Sequence, residues 1–292
     1  MPSTQRGPRY WWSRLKPFII APVVFIIIVG GIFAYSGVWP PMVVIESKSM
    51  QHADTSSIGV IDTGDIVVVK SVGSTDDVVT YLEGMVTGHS TYGEPGDVVI
   101  YYKAGMSKPI IHRAICELVY NSTGGGFDIP DLAKVPASMW SVPGEAQEWW
   151  NLKDTVELYG IGYANATVTI DLGAMLDYMT SPGYSGEVHG GLVTMGDNNF
   201  YIGPNGTVIG KYDQKWISAV KEPIKDDWIV GKARGELPWF GLLKLYATGT
   251  APSYTPENSK VNLIMSLALI ITIPIAVDVI AAVMKKRSKR GK

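Results

Sequence analysis

The chain has 292 residues, 46% of them apolar, with 25 Lys and Arg against 27 Asp and Glu. Ten of the basic residues lie in 1–16 and 285–292, which contain no acid, so the stretch between the two terminal apolar segments carries about −11 and is a poor surface for nucleic acid. A single cysteine, Cys116, excludes an intramolecular disulfide and a Cys-rich zinc site, and its apolar neighbours make it a buried core residue.

Residues 1–16 form a basic tail with Arg6, Arg9, Arg14 and Lys16. Residues 17–38 follow without a charge, and a helix of that length spans a bilayer. Tyr10, Trp11 and Trp12 on one side and Tyr35 and Trp39 on the other sit where aromatic belts form. The run exceeds a typical signal-peptide core and lacks a small-residue cleavage site, so it is expected to remain as an anchor. Val43 to Ile45 then reads as a short extended segment delivering Ser47 and Ser49. On a strand, side chains in i, i+2 relation point the same way.

The exterior part is expected to be mainly β. Asp62-Thr63-Gly64-Asp65 and Glu94-Pro95-Gly96-Asp97 are turn chemistry, followed by the β-branched runs Ile66–Val69 and Val98–Tyr102. Asp65 and Asp97 are therefore expected as turn residues. Pro109–Ile115 reads as the next strand, and helical periodicity is thin throughout 40–115. Residues 117–188 change texture, with Gly-rich and Pro-rich turns and a Trp149-Trp150 pair, and are expected to form a smaller inserted subdomain. The first domain resumes at Thr194–Asn199 and continues through Tyr212–Gln214. A bent strand near Trp228–Gly241 then returns towards the membrane. The expected β domain thus comprises 39–116 and 189–250. Asn121, Asn165 and Asn205 open acceptor sequons for glycans. A second apolar segment, 261–284, ends in the basic tail 285–292. Basic tails outside both segments place both termini in the cytoplasm and 39–260 outside.

Four histidines are present, and His112 stands out inside an apolar strand beside Arg113. Imidazole is the side chain best suited to accept a proton near neutral pH, and a Ser, a His and an Asp from separate segments can form a relay on any fold. No phosphate-binding loop or metal-ligand cluster is visible, and no cofactor is expected.

Ser47-Lys48-Ser49-Met50, Thr63-Gly64-Asp65, Gly96-Asp97-Val98-Val99, Ile111-His112-Arg113, Gly196-Asp197-Asn198-Asn199 and Val230–Gly235 occur in the order of type I signal peptidases. The chain resembles the archaeal and endoplasmic-reticulum branch of that family, which has His where the bacterial branch has a Lys base. The resemblance covers roughly 40–115 and 190–245. It implies a membrane-anchored signal-peptidase-like β-rich catalytic domain that removes signal peptides from secretory preproteins after small residues. Ser49 is then the nucleophile, His112 its base, and Asp197 or Asp213 the acid that supports His112. Ser47 and the Ser49 N–H are the implied oxyanion donors. Gln51-His52 stands where the family usually has Glu-Pro, a departure in the cleft wall. The implied partners are preproteins and membrane lipid, and association with the translocation machinery is compatible with the resemblance. Ser49 follows the anchor by eleven residues, at most about 36 Å of chain, which keeps it near a bond emerging just beyond a signal peptide's apolar core.

Two other readings compete. A Ser/Lys dyad would use Lys70 or Lys103, which end or follow strand-like runs. A non-catalytic surface binding protein or inactive partner subunit fits the acidic exterior but has no need of Ser49, His112 and an acid in ordered motifs. A nucleophile elbow is disfavoured, because no Gly-x-Ser-x-Gly surrounds Ser49.

Overall fold

A computed structural model describes residues 8–144 and 146–290, so 1–7 of the first basic tail and 291–292 of the second lie outside the described residues. The chain opens with α1 (Pro8–Ser36) and closes with α6 (Glu257–Arg290). Within Phe18–Ser36 and Glu257–Met284 the most apolar 18-residue windows have mean hydropathies of 2.7 and 2.6, and neither window is covered by protein. A core helix would be packed against neighbours; these two are long and apolar enough to cross a bilayer instead. They are compatible with a two-pass membrane protein. The first helix stops two residues before the expected Val38. Gly37 takes the left-handed φ of +73° that terminates helices, and its N–H caps Phe33 O at 2.9 Å.

Between the two helices lie β1 (Met42–Val44), β2 (Ile66–Lys70), α2 (Tyr81–Thr87), a small hairpin of β3 (Ser90–Thr91) and β4 (Glu94–Pro95), β5 (Val98–Tyr101) and β6 (Ile110–Asn121). Then come β7 (Gly126–Asp128), β8 (Trp140–Ser141), β9 (Thr155–Ile161), β10 (Ala166–Asp171) and α3 (Leu172–Thr180). The chain continues with β11 (Gly191–Ile202), β12 (Val208–Tyr212), α4 (Asp213–Trp216), β13 (Ile229–Leu237) and α5 (Gly241–Ala247). Eleven strands join one sheet in the order β1-β2-β13-β5-β6-β11-β12-β10-β9-β8, with β7 paired to β6. The β10–β12 pair is parallel, which makes the sheet mixed.

The continuous apolar run Val98–Tyr101 is buried on both faces. Val98 and Ile100 join Ile45, Met50, Ile61, Val67 and Val69 in one core, while Val99 and Tyr101 join Ala114, Leu192 and Ile224 in another. A central strand covered on both sides needs no polar alternation. The expected strand at 109–115 runs on to Asn121, because Ile115, Cys116 and Leu118 stay buried as β6 continues.

Residues 117–188, expected as an inserted subdomain, extend the same sheet rather than closing on themselves. The expected boundary after Cys116 falls inside β6, and β10 pairs with β12. One apolar core runs across that boundary, holding Leu82, Ile115 and Cys116 with Phe127, Leu158 and Met175. Burial pushes the Cys116 thiol up and leaves it protonated. The helix α2 was not expected, although Thr80-x-x-Glu83 is a capping signal; Thr80 Oγ1 accepts from the Glu83 N–H at 3.1 Å.

Asp65 holds its turn from inside. Its carboxylate accepts the N–H of Asp62 at 2.8 Å and of Trp239 at 2.8 Å. Burial raises its pKa to about 7, with the Asp62 and Glu236 charges adding to the rise and the two backbone donors opposing it. The unfolded group ionises near pH 4. Between about pH 4 and 7 the folded state therefore holds a proton that the unfolded chain has lost, and this group's contribution to stability falls as pH rises. The melting temperature of Asp65→Asn should depend less steeply on pH than that of the wild type across this window. Parallel melting curves would contradict that assignment.

Candidate active site

The nucleophile candidate lies beyond a strand, not on it. The ladder of β1 ends at Val44, and Ser47–Met50 form a bend and turn. The i, i+2 pleat expected to align the two serines is therefore absent; the turn brings them together instead, with Ser47 Oγ and Ser49 Oγ 3.1 Å apart. Three successive carbonyls of this turn are held from outside it. Thr63 Oγ1 donates to Ser47 O at 3.0 Å, Asn198 Nδ2 to Lys48 O at 3.0 Å, and the Asn198 N–H to Ser49 O at 2.8 Å. Behind the turn Met50 is only 1% exposed and packs in the core. Trp239 and Phe240 pack against the Leu242–Leu245–Leu263 cluster, while Leu237 is exposed. The Ser49 N–H has no acceptor among the described residues.

His112 sits on β6 opposite Val99 of β5. Pairing of β6 with β11 starts one residue later, at Arg113, so the other edge at His112 is open. Its Nδ1–H donates to the Asp213 carboxylate at 2.7 and 2.8 Å. Asp213 is the first residue of α4, completely buried where β12 ends, and it also accepts the hydroxyls of Tyr101 and Thr194, each at 2.7 Å. A buried carboxylate with this many donors is satisfied as an anion. With the proton fixed on Nδ1, Nε2 is the acceptor, and the Asn199 amide approaches it at 3.5 Å.

Ser47, Ser49, His112 and Asn199 line one cleft of about 1040 Å³. Its walls are the β1 segment, Pro109–Ile111, and the Thr250–Tyr254 leader into α6. No hydrogen bond joins Ser49 Oγ to His112 Nε2 in this state. Gly196 shows how closely their segments pack: a β-carbon there would lie 2.6 Å from Ser49 O and 2.8 Å from His112 Nε2. Gly196→Ala must push these groups apart. An ångström of misplacement costs about 100-fold in rate. A loss of that order is expected in a single-turnover assay with circular dichroism unchanged; an unaffected rate would show that the two segments need not be this close.

Of the two candidate acids, only Asp213 meets His112. Asp197 is buried in a fork with Arg113, Nε to Oδ1 at 2.8 Å and Nη2 to Oδ2 at 2.6 Å, and it accepts His52 Nε2–H at 3.0 Å. Burial alone would raise its pKa, but the Arg113 guanidinium and His52 outweigh that and hold it below the usual carboxylate range. Arg113 Nη1 donates to the carbonyls of the β3–β4 hairpin, including Thr91 O at 3.0 Å and Pro95 O at 3.1 Å. Asp97, expected in a turn, is buried against His89, Lys232 and Arg234.

The lysines of the dyad alternative are engaged elsewhere. Lys70 Nζ donates to Tyr35 O at 2.6 Å and Lys103 Nζ to Glu222 Oε1 at 2.7 Å, and neither lines the cleft. Lys108 and Lys244 do line it, both bonded to Glu46. Tyr101, Thr194 and Asn199 escaped the sequence reading as site residues. Tyr101 and Thr194 lie on β5 and β11, and their contacts with Asp213 cross the sheet, so no local pattern marks them. Among the described residues no cluster of His, Cys, Asp and Glu is placed to hold a metal ion.

Comparison with protein-family models finds no match, and comparison with curated proteins finds no significant relative. A hydroxyl in a pinned turn shares a cleft with an imidazole whose Nδ1 is held by a buried carboxylate, an arrangement that can activate a hydroxyl for nucleophilic attack.

Proposed function

We propose that this chain is a membrane-bound serine endopeptidase that removes signal peptides from secretory preproteins, with Ser49 as nucleophile and His112 as general base. The observation that carries the proposal is the His112–Asp213 pair, whose imidazole lines the same cleft as Ser49 and Ser47. Ser49 Oγ turns from Ser47 towards Nε2, gives up its proton and attacks the scissile carbonyl. Asp213 stabilises the imidazolium that results. The oxyanion is met by the Ser49 N–H and Ser47 Oγ. His112 then protonates the leaving amine, and water hydrolyses the acyl-enzyme by the same route.

Substrate reach follows from the frame. The strand β1 ends the sheet, so its outer edge can accept an extended peptide as an added strand, with apolar walls receiving alternate side chains. The cleft wall at Pro252 and Tyr254 leads directly into α6, which supports cleavage close to the lipid surface. The basic tails favour cytoplasmic termini and an exterior cleft in the cell membrane.

The test is cleavage of a preprotein by the full-length chain in detergent, with the new amino terminus mapped by mass spectrometry. The expected cut follows a small residue just beyond the apolar core of the signal peptide, and it disappears when that residue is made bulky. Failure to cut across a range of pH and lipid would shift the assignment to a binding or partner subunit.

A further inference from the structure

We propose that Tyr163, at the tip of the β9–β10 hairpin, is a positioning residue for the nucleophile turn, and that this is what the 117–188 half contributes to the site. Its effect on rate rests on the peptidase assignment, whereas its effect on the turn does not.

The tip is built to be rigid. Gly160, Gly162 and Asn165 all take left-handed backbone conformations, and Asn165 N–H closes the turn on Gly162 O at 2.9 Å. Tyr81 of α2 fastens it from below. Its hydroxyl donates to Gly160 O at 3.4 Å and accepts the Gly162 N–H at 3.1 Å. From this base Tyr163 extends over the site. Its ring stacks on His52 with centroids 4.4 Å apart and meets Phe200 edge-on at 5.9 Å.

The hydroxyl makes the decisive contact. It donates to Asn198 Oδ1 at 2.9 Å, which fixes the orientation of that amide. With Oδ1 engaged, Nδ2 points to Lys48 O, while the Asn198 backbone N–H holds Ser49 O. Tyr163 is therefore linked through Asn198 to the carbonyls of the nucleophile and of the residue before it, and its hydroxyl also reaches Gln51 O at 3.4 Å. The His52 ring beneath it holds Asp197 Oδ2, so the stack also braces the neighbouring strand. Tyr163 is 38% exposed, which core filling would not require. A reacting hydroxyl must be held to within about 0.5 Å of its working position. Without the Tyr163 hydroxyl the Asn198 amide is free to rotate, and Lys48 O keeps only the Gln51 N–H at 3.1 Å.

The experiment uses full-length protein in detergent and two variants. Tyr163→Phe removes the hydroxyl but keeps both ring contacts. Tyr159→Phe removes a hydroxyl bonded to Ser141 and Glu157 within the same half and serves as control. Hydrogen exchange by mass spectrometry should show peptides covering 47–51 and 196–200 exchanging about tenfold faster in Tyr163→Phe, and unchanged in Tyr159→Phe. With a preprotein substrate, kcat of Tyr163→Phe should fall about tenfold at constant KM and constant melting temperature. Unchanged exchange in Tyr163→Phe overturns the proposal. Faster exchange with unchanged kcat overturns the positioning role while keeping the contact. A wild type that cleaves nothing refutes the peptidase assignment alone, since the exchange result still decides whether Tyr163 holds the turn.

Discussion

Ser49→Ala is expected to lower the rate of preprotein cleavage by about 10,000-fold or more while leaving the fold intact. The hydroxyl is the proposed nucleophile, and Ser47, 3.1 Å away, is assigned to the oxyanion instead because it lacks the Asn198 contact that holds Ser49 O. The structural cost is small, because the side chain is half-buried and gives up one hydrogen bond, about 1 kcal/mol. Ser47→Ala separates the two hydroxyls. It should retain the nucleophile and lose about 100-fold through the oxyanion donor. The check is single-turnover kinetics with melting temperatures recorded alongside. Activity retained by Ser49→Ala and lost by Ser47→Ala would exchange their roles.

Asp213→Asn should cost about 10,000-fold in kcat, the scale seen when a relay carboxylate is replaced by its amide. The amide can accept the hydroxyls of Tyr101 and Thr194, but it presents an N–H to His112 Nδ1. That places the imidazole proton on Nε2, facing the cleft, where the ring can no longer accept one from Ser49. The melting temperature should move by only a few degrees. Asp197→Asn should behave in the opposite way. It weakens a buried fork with Arg113, and breaking such a pair destabilises a fold by about 3–5 kcal/mol, while His112 keeps its partner. Rate and stability measured on both variants distinguish the two acids. An Asp213→Asn protein that cleaves normally would remove Asp213 from the relay.

The apolar segments and the strands of the first half were legible because their signals are local. Uncharged runs of spanning length, and β-branched runs after Gly-Asp turns, need no tertiary information. The sequence placed His112 on a strand but could not choose between Asp197 and Asp213, sixteen residues apart. That choice depends on α4 starting where β12 ends, which brings residue 213 under β6. The pairing of Ser47 and Ser49 was expected for a reason that fails. They meet in a turn fixed by Thr63 and Asn198, partners distant in sequence. The 117–188 segment looked separate because its turns are rich in Gly and Pro. Its membership of the common sheet rests on β6 running past residue 117 and on the parallel pairing of β10 with β12, which no periodicity reveals.

The most direct test is the rate at which full-length wild type and His112→Ala cleave a preprotein under single-turnover conditions, with the product's amino terminus mapped. The expected result is a cut after a small residue by the wild type and a loss of at least about 1,000-fold in His112→Ala, with its melting temperature close to that of the wild type. Cleavage by His112→Ala at the wild-type rate and site would rule out His112 as the base, because it would leave Ser49 to be activated by another group.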